Sequence, residues 1–211
     1  MLSELLNRRP ELAECKESIE AALDAIIKCY ERGGKLLLCG NGGSAADCEH
    51  IVGELMKGFL LKRPMGDDMK ARMRDRFPAL EDSVLSKLQL GLPAISLPSV
   101  SGFNTAFCND VDAELVYAQS VLALSEERDV LLAISTSGNS TNVVRAVEVA
   151  KGLGLSVIGL SGKTGGVLSD ICDVCVTVPE IETYKVQELH LSVYHYICAE
   201  VEKHFFALIT S

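Results

Sequence analysis

Two short segments constrain this chain more than any other feature: Leu38-Cys39-Gly40-Asn41-Gly42-Gly43-Ser44 and Ile134-Ser135-Thr136-Ser137-Gly138-Asn139-Ser140. Each follows an apolar run that reads as a buried strand. Each opens a segment that reads as a helix. A Gly- or Ser-rich turn at such a junction presents backbone N–H groups at the positive end of the helix, a ready seat for a phosphate. Two seats about a hundred residues apart imply one α/β domain that grips one phosphorylated ligand from both sides.

The rest of the pattern predicts the frame for those loops. Apolar positions at helical spacing run through 11–31 (Leu12, Cys15, Ile19, Ala22, Leu23, Ile26, Ile27, Tyr30), and Gly33-Gly34 stops that helix. Short apolar strands are predicted at 35–39, 93–97, 129–134, 155–160 and 174–178, with helices at 44–58, 140–153 and 184–206. Strands alternating with helices make a parallel sheet covered on both faces. The expectation is an α/β fold, a three-layer αβα sandwich with a five-stranded parallel sheet and a long N-terminal helix. Ligands of such sheets bind at the carboxyl ends of the strands, where both loops fall. The chain reads as a single domain over 1–211 with a helical insertion at about 61–91. There Met69, Met73, Phe77, Leu80, Val84, Leu85 and Leu88 recur at near-helical spacing, which predicts one or two short amphipathic helices. Their role is open between a surface decoration and a lid or subunit contact.

Composition removes several function classes. At 211 residues the chain can bury a substantial core. Its net charge of -9 argues against a general nucleic-acid binder, because a polyanion needs a basic surface. No apolar run approaches the ~18 residues of a membrane span, and Met1 to Arg9 has no apolar signal-like core. The eight cysteines are spread through predicted helices and strands, so they read as reduced, mostly buried thiols of a cytoplasmic protein. Cys172-x-x-Cys175 lies at a strand entry with no second pair, and reads as structural.

The first loop lacks the G-x-G-x-x-G spacing of a dinucleotide site and the Gly-Lys-Ser/Thr of a nucleotide P-loop. The second is more telling. Ser135, Thr136, Ser137 and Ser140 supply four hydroxyls in six residues, whereas a helix cap needs one. His50 and Glu54 stand four apart, on one face of the helix that the first loop opens. Alone, such a pair is commonly plain helix surface. Gln187 and His195, eight apart, lie roughly 80° apart around the last predicted helix and can converge on one point. Imidazole, carboxylate and amide donors in this arrangement suit a divalent metal such as zinc. His190 and His204 read as core or surface residues.

In combination, C-G-N-G-G-S, H-x-x-x-E, I-S-T-S-G-N-S and Q-E-x-H-x-x-x-x-H resemble the sugar isomerase (SIS) fold, and within it the sedoheptulose-7-phosphate (phosphoheptose) isomerases. The resemblance covers about 1–60 and 92–206. It implies conversion of D-sedoheptulose 7-phosphate to D-glycero-D-manno-heptose 7-phosphate, an aldose–ketose isomerisation on the way to activated heptose. It implies one zinc ion per site held by His50, Glu54, Gln187 and His195, with Glu54 as base and His195 as acid. Asn41, Gly42, Gly43 and Ser44 match a substrate loop, Asn109 and Asp110 a substrate-contacting pair, and Ser135, Thr136, Ser137 and Ser140 the phosphate cradle. It also implies a homotetramer with the site near subunit contacts. This chain departs by its longer 61–91 segment, by Lys57 near a position where an Arg is usual, and by Thr183-Tyr184-Lys185 ahead of Gln187. Two other readings stand beside it: a non-catalytic SIS protein that binds a sugar phosphate or acts as a regulator, and an isomerase of another ketose phosphate. Regulators of this fold would be expected to lose the His/Glu/Gln/His set.

Overall fold

The computed structural model describes residues 2–207. The chain runs through α1 (Leu2–Arg8), a 3-10 segment (Pro10–Cys15), α2 (Lys16–Glu31), β1 (Leu36–Gly40), α3 (Gly43–Met56), α4 (Asp67–Arg76), α5 (Asp82–Leu85), β2 (Ala94–Ser96), α6 (Ser101–Phe107), α7 (Val116–Leu124), β3 (Val130–Ser135), α8 (Thr141–Gly152), β4 (Ser156–Ser161), α9 (Gly166–Ile171), β5 (Val174–Thr177) and α10 (Thr183–Phe206). All five strands are parallel, in the order β2-β1-β3-β4-β5. That order reverses between β1 and β3, the switch point at which doubly wound sheets open a crevice. The two Gly/Ser loops end those two strands, so distant segments of sequence become neighbours.

Side-chain alternation splits the sheet between two cores. Leu36, Leu38, Leu132, Ile134, Ile158 and Leu160 face α2, α3 and α10. Leu37, Cys39, Leu131, Ala133 and Val157 face α7 and α8. Both faces are covered, which is why these strands are continuously apolar and not alternating.

Two features differ from the sequence expectation. The helical stretch expected over 11–31 is not uniform: Pro10–Cys15 is a 3-10 turn, and α2 begins only at Lys16. Pro10 sits in its first turn, where a missing N–H is harmless, and the Cys15 thiol donates to the Thr177 carbonyl at 3.0 Å, tying the turn to β5. Helices α6, α7 and α9 were not anticipated. In α7, Val116, Tyr117, Ala118, Ser120 and Val121 are all buried, so no polar face marks a helical period. The 61–91 segment does contain two short helices, α4 and α5. Its neck is closed by an antiparallel bridge between Pro64 and Gln89 and by Leu90 N–H donating to the Arg63 carbonyl at 2.7 Å.

His190 of α10 is fully buried, and neither ring nitrogen has a geometrically sound hydrogen-bond partner among the described residues. Burial pushes its pKa down to about 4, only partly opposed by the Ser161 backbone. A depressed histidine leaves the unfolded chain holding more protons as pH falls. Stability is therefore full above the ordinary imidazole value of 6.5 and is lost progressively toward about 4, by about 3 kcal/mol for this group. Urea unfolding at a series of pH values should show that slope. His190→Leu, which removes two unpartnered buried nitrogens, should flatten it with little loss of stability at pH 7.5.

Candidate active site

Helices α3 and α10 lie side by side and run in the same direction. The contacts between them keep a nearly constant sequence offset: Gly43 meets Gln187, and His50 meets Tyr194 and His195. The apolar seam beneath includes Ile51, Leu55, Val193 and Ile197. This parallel register determines which candidates meet.

His50, Glu54 and His195 form one cluster. His50 Nε2 stands 3.2 Å from Glu54 Oε1 and 3.4 Å from His195 Nε2. The second Glu54 oxygen accepts from Lys57 Nζ at 3.0 Å. Lys57 thus supplies the positive charge beside the carboxylate, as a point charge and not a planar fork. Phe59 lies against the His195 ring, with centroids 5.6 Å apart. Burial first, then the neighbouring His50, holds the His195 pKa below the ordinary imidazole value, against the opposing pull of Glu54.

Gln187 is placed differently. Its carboxamide lies on Gly43, so close that a Cβ at 43 would overlap it. No hydrogen bond among the described residues joins it to His50, Glu54 or His195. The reason is the helix register: eight residues separate Gln187 from His195 along α10, about 12 Å of rise, which carries the amide to the mouth of the first loop.

The two loops are joined across the switch point. Asn41 and Asn142 exchange amide hydrogen bonds of 2.8 and 2.9 Å, and the Tyr117 hydroxyl donates to the Gly40 carbonyl at 2.8 Å. In the second loop, Ser135 and Ser140 hydroxyls meet at 3.0 Å, Thr136 is half-buried and Ser137 is exposed. Gly138 is required there: its φ is +69°, and a Cβ would strike the Gly165 carbonyl. Ser44 is buried in the first turn of α3. Asn109 and Asp110 lie on an exposed turn and hydrogen-bond each other at 2.8 Å. No hydrogen bond or ion pair among the described residues carries them to the cluster.

The sequence reading missed the supports. Arg63 is fully buried and donates to Glu202 Oε1 at 2.8 Å, to the Leu55 carbonyl at 2.7 Å and to the Glu54 carbonyl at 3.1 Å. Glu202 also accepts from the N–H groups of Phe59, Leu60 and Leu61 at 2.7 to 2.9 Å. Burial works to raise the Glu202 pKa, but these backbone donors and Arg63 outweigh it and hold the carboxyl below its ordinary value. The pair fixes the C-terminal end of α3, where Glu54 sits, and the loop that carries Lys57 and Phe59. A lone Arg or Glu in sequence gives no sign of this. The other missed residues are Tyr194, which contacts His50 from behind, and Asp47, which accepts from the Tyr194 hydroxyl.

The chemistry of the donor set suits zinc. Ligands at tetrahedral positions about 2.0–2.1 Å from one ion lie about 3.3 Å apart, close to the two edges of the cluster. His50 occupies the middle, and among the described residues no three His, Cys, Asp or Glu side chains are grouped so as to hold a metal ion as they stand.

Fold and site together define a sugar isomerase (SIS) domain: the profile of that domain matches residues 3–88 and 81–162. A phosphoheptose isomerase of Crocosphaera subtropica is 40% identical over 190 residues, covering 90% of this chain and 84% of its own. One from Aneurinibacillus thermoaerophilus is 37% identical over 188 residues, covering 89% and 82%. The solved phosphoheptose isomerase of Neisseria gonorrhoeae superposes with a TM-score of 0.73 at 30% identity, over 96% of this chain and 95% of that one. This chain belongs to the phosphoheptose isomerase family. No helix among the described residues is long and apolar enough to cross a membrane.

Removing one member of the buried pair strands the other charge. Glu202→Gln or Arg63→Met should lower stability by about 3–5 kcal/mol in urea unfolding. The Arg63→Met/Glu202→Gln double variant should lose clearly less than the sum of the two single losses.

Proposed function

We propose that this chain isomerises D-sedoheptulose 7-phosphate to D-glycero-D-manno-heptose 7-phosphate, a step toward activated heptose. The observation that carries the reading is the His50–Glu54–His195 cluster, seated on the helix that the first loop opens and beside a hydroxyl-rich second loop. The phosphate is held by Ser135, Thr136, Ser137 and Ser140 with the N-terminal dipole of α8. That remote binding energy positions the reacting carbons near the cluster. Asn41, Gly42, Gly43, Ser44 and Gln187 line the sugar side, with Asn109 and Asp110 as further substrate contacts.

Moving a hydrogen between adjacent carbons requires a base at the C–H bond and an acid at the carbonyl oxygen, through an enediol(ate). Glu54 takes the proton and returns it to the neighbouring carbon. His195, an exposed-edge imidazole facing the same space, serves the oxygen. Lys57 and the Arg63 contact to the Glu54 carbonyl keep the carboxylate from swinging away. His50, Glu54 and His195, with Gln187 as the fourth side chain of the resemblance, would hold a zinc ion. Bound there, the ion would supply Lewis-acid stabilisation of developing oxyanion charge.

We further propose a cytoplasmic homotetramer. Met56 and Leu60, 55% and 64% exposed, stand next to the cluster, and Ile181, 73% exposed, precedes α10. An apolar rim around a polar site suits cover by another subunit. Sedimentation should give the mass of four chains, and Leu60→Asp should reduce it.

Glu54→Gln tests the assignment. It keeps shape and loses the base, so kcat on sedoheptulose 7-phosphate should fall at least a hundredfold while the sugar phosphate still binds. Turnover at the wild-type rate would remove Glu54 from the chemistry.

A further inference from the structure

His50 has a back side that the proposed chemistry does not use. Its Nδ1 lies 3.0 Å from the Tyr194 hydroxyl, and that hydroxyl lies 3.1 Å from Asp47 Oδ1. Tyr194 is 2% exposed, and its ring meets His50 edge-on with centroids 5.5 Å apart. The other Asp47 oxygen is buried without a hydrogen-bond partner. Asp47 and Tyr194 come from two helices and sit one layer behind the cluster to which His50 belongs. Tyr194 immediately precedes His195, so one turn of α10 contacts both sides of the His50 ring.

The direction of these hydrogen bonds follows from counting protons. A phenol has one hydrogen and an ionised carboxylate has none. The Tyr194 hydrogen therefore goes to Asp47, and the phenol oxygen can only accept from His50. The His50 proton is thus assigned to Nδ1. Its Nε2 then turns a lone pair toward Glu54 Oε1 at 3.2 Å. Two acceptors at that distance repel unless a cation, a proton or a metal ion, lies at Nε2.

We propose that Asp47 and Tyr194 are positioning residues that lock His50 in its Nδ1–H tautomer and so aim a bare Nε2 into the site as a cation ligand. The inference rests on the zinc reading for its purpose, but not for its test. Partners behind metal-bound imidazoles fix ring orientation and tautomer in this way, and their loss weakens metal binding by 10–100-fold.

The first readout is the histidine side-chain nitrogen spectrum of 15N-labelled, zinc-free protein at a pH where His50 is neutral. His50 should show a protonated Nδ1 and an unprotonated Nε2. In Tyr194→Phe, which keeps the ring and removes the hydroxyl, the His50 signals should move toward a tautomer mixture. Zinc affinity, measured by competition with a chromophoric chelator, should fall 10–100-fold, and kcat should fall with KM nearly unchanged. Asp47→Asn, whose carbonyl can still accept from the phenol, should retain most of the tautomer bias, while Asp47→Ala should lose it. The wild-type spectrum decides the matter even if a variant fails to fold. A wild-type His50 protonated at Nε2, or a folded Tyr194→Phe with unchanged tautomer and zinc affinity, would overturn the proposal. Wild-type protein that shows the Nδ1–H tautomer yet takes up no zinc would reject the zinc reading and leave the positioning role in place.

Discussion

Everything in the site depends on two helices running in the same direction at one register. Helix α3 is launched by the turn after β1, and α10 arrives after β5, yet both cross the same face of the sheet. Parallel neighbours share a rise of 1.5 Å per residue, so a contact at one end fixes the partners at every later turn. Gln187 on Gly43 leads to His195 on His50, and further along to Glu202 on the N–H groups of residues 59–61. A slip of one residue would rotate each side chain by about 100° and disperse the cluster. The apolar seam opposes such a slip, and the Arg63–Glu202 pair opposes it more specifically. A buried ion pair stabilises little relative to an apolar substitute, but it tolerates almost no misalignment. Its role here is to select one register.

The site divides its work between the two ends of these helices. At the loop end, backbone dipoles and hydroxyls can hold phosphate without basic side chains. This reconciles a net charge of -9 with an anionic ligand. Two turns further down, imidazoles and a carboxylate provide proton-transfer groups at a distance set by the helix rise.

Much of this was legible from the sequence because its signals are local. Strand-turn-helix junctions, the four hydroxyls of 135–140 and the i,i+4 pair of His50 and Glu54 are each visible within a few residues. Five strands and the helices that carry site residues followed from apolar runs and helical spacing. What the sequence could not show is what depends on register between distant segments. Gln187 and His195 look equally able to join His50, yet only His195 touches it. Asn109 and Asp110 match a motif but sit on an exposed turn, hydrogen-bonded to each other and not to the cluster among the described residues. Arg63, Glu202, Tyr194 and Asp47 are ordinary letters in the sequence, and their roles arise only when α3 meets α10. Helix α7 escaped notice because its exposed side, with Leu122 and Leu124, is as apolar as its buried one.

Residues 61–91 show why an excursion with its own helices leaves the site intact. The chain leaves the domain after Pro64 and returns at Gln89, and those two residues pair with each other. The Gln89 side chain also accepts from the Gly58 N–H at 2.9 Å, and Leu92 N–H donates to the Leu55 carbonyl at 3.0 Å. The neck therefore stays closed whatever lies beyond it. Loop-closure entropy grows only logarithmically with length, so added residues beyond a closed neck change little in the fold. Arg63 stands on the domain side of that neck, with its guanidinium on Glu202 and on the carbonyls of Leu55 and Glu54. The base of this segment is thus part of what holds Glu54 in place.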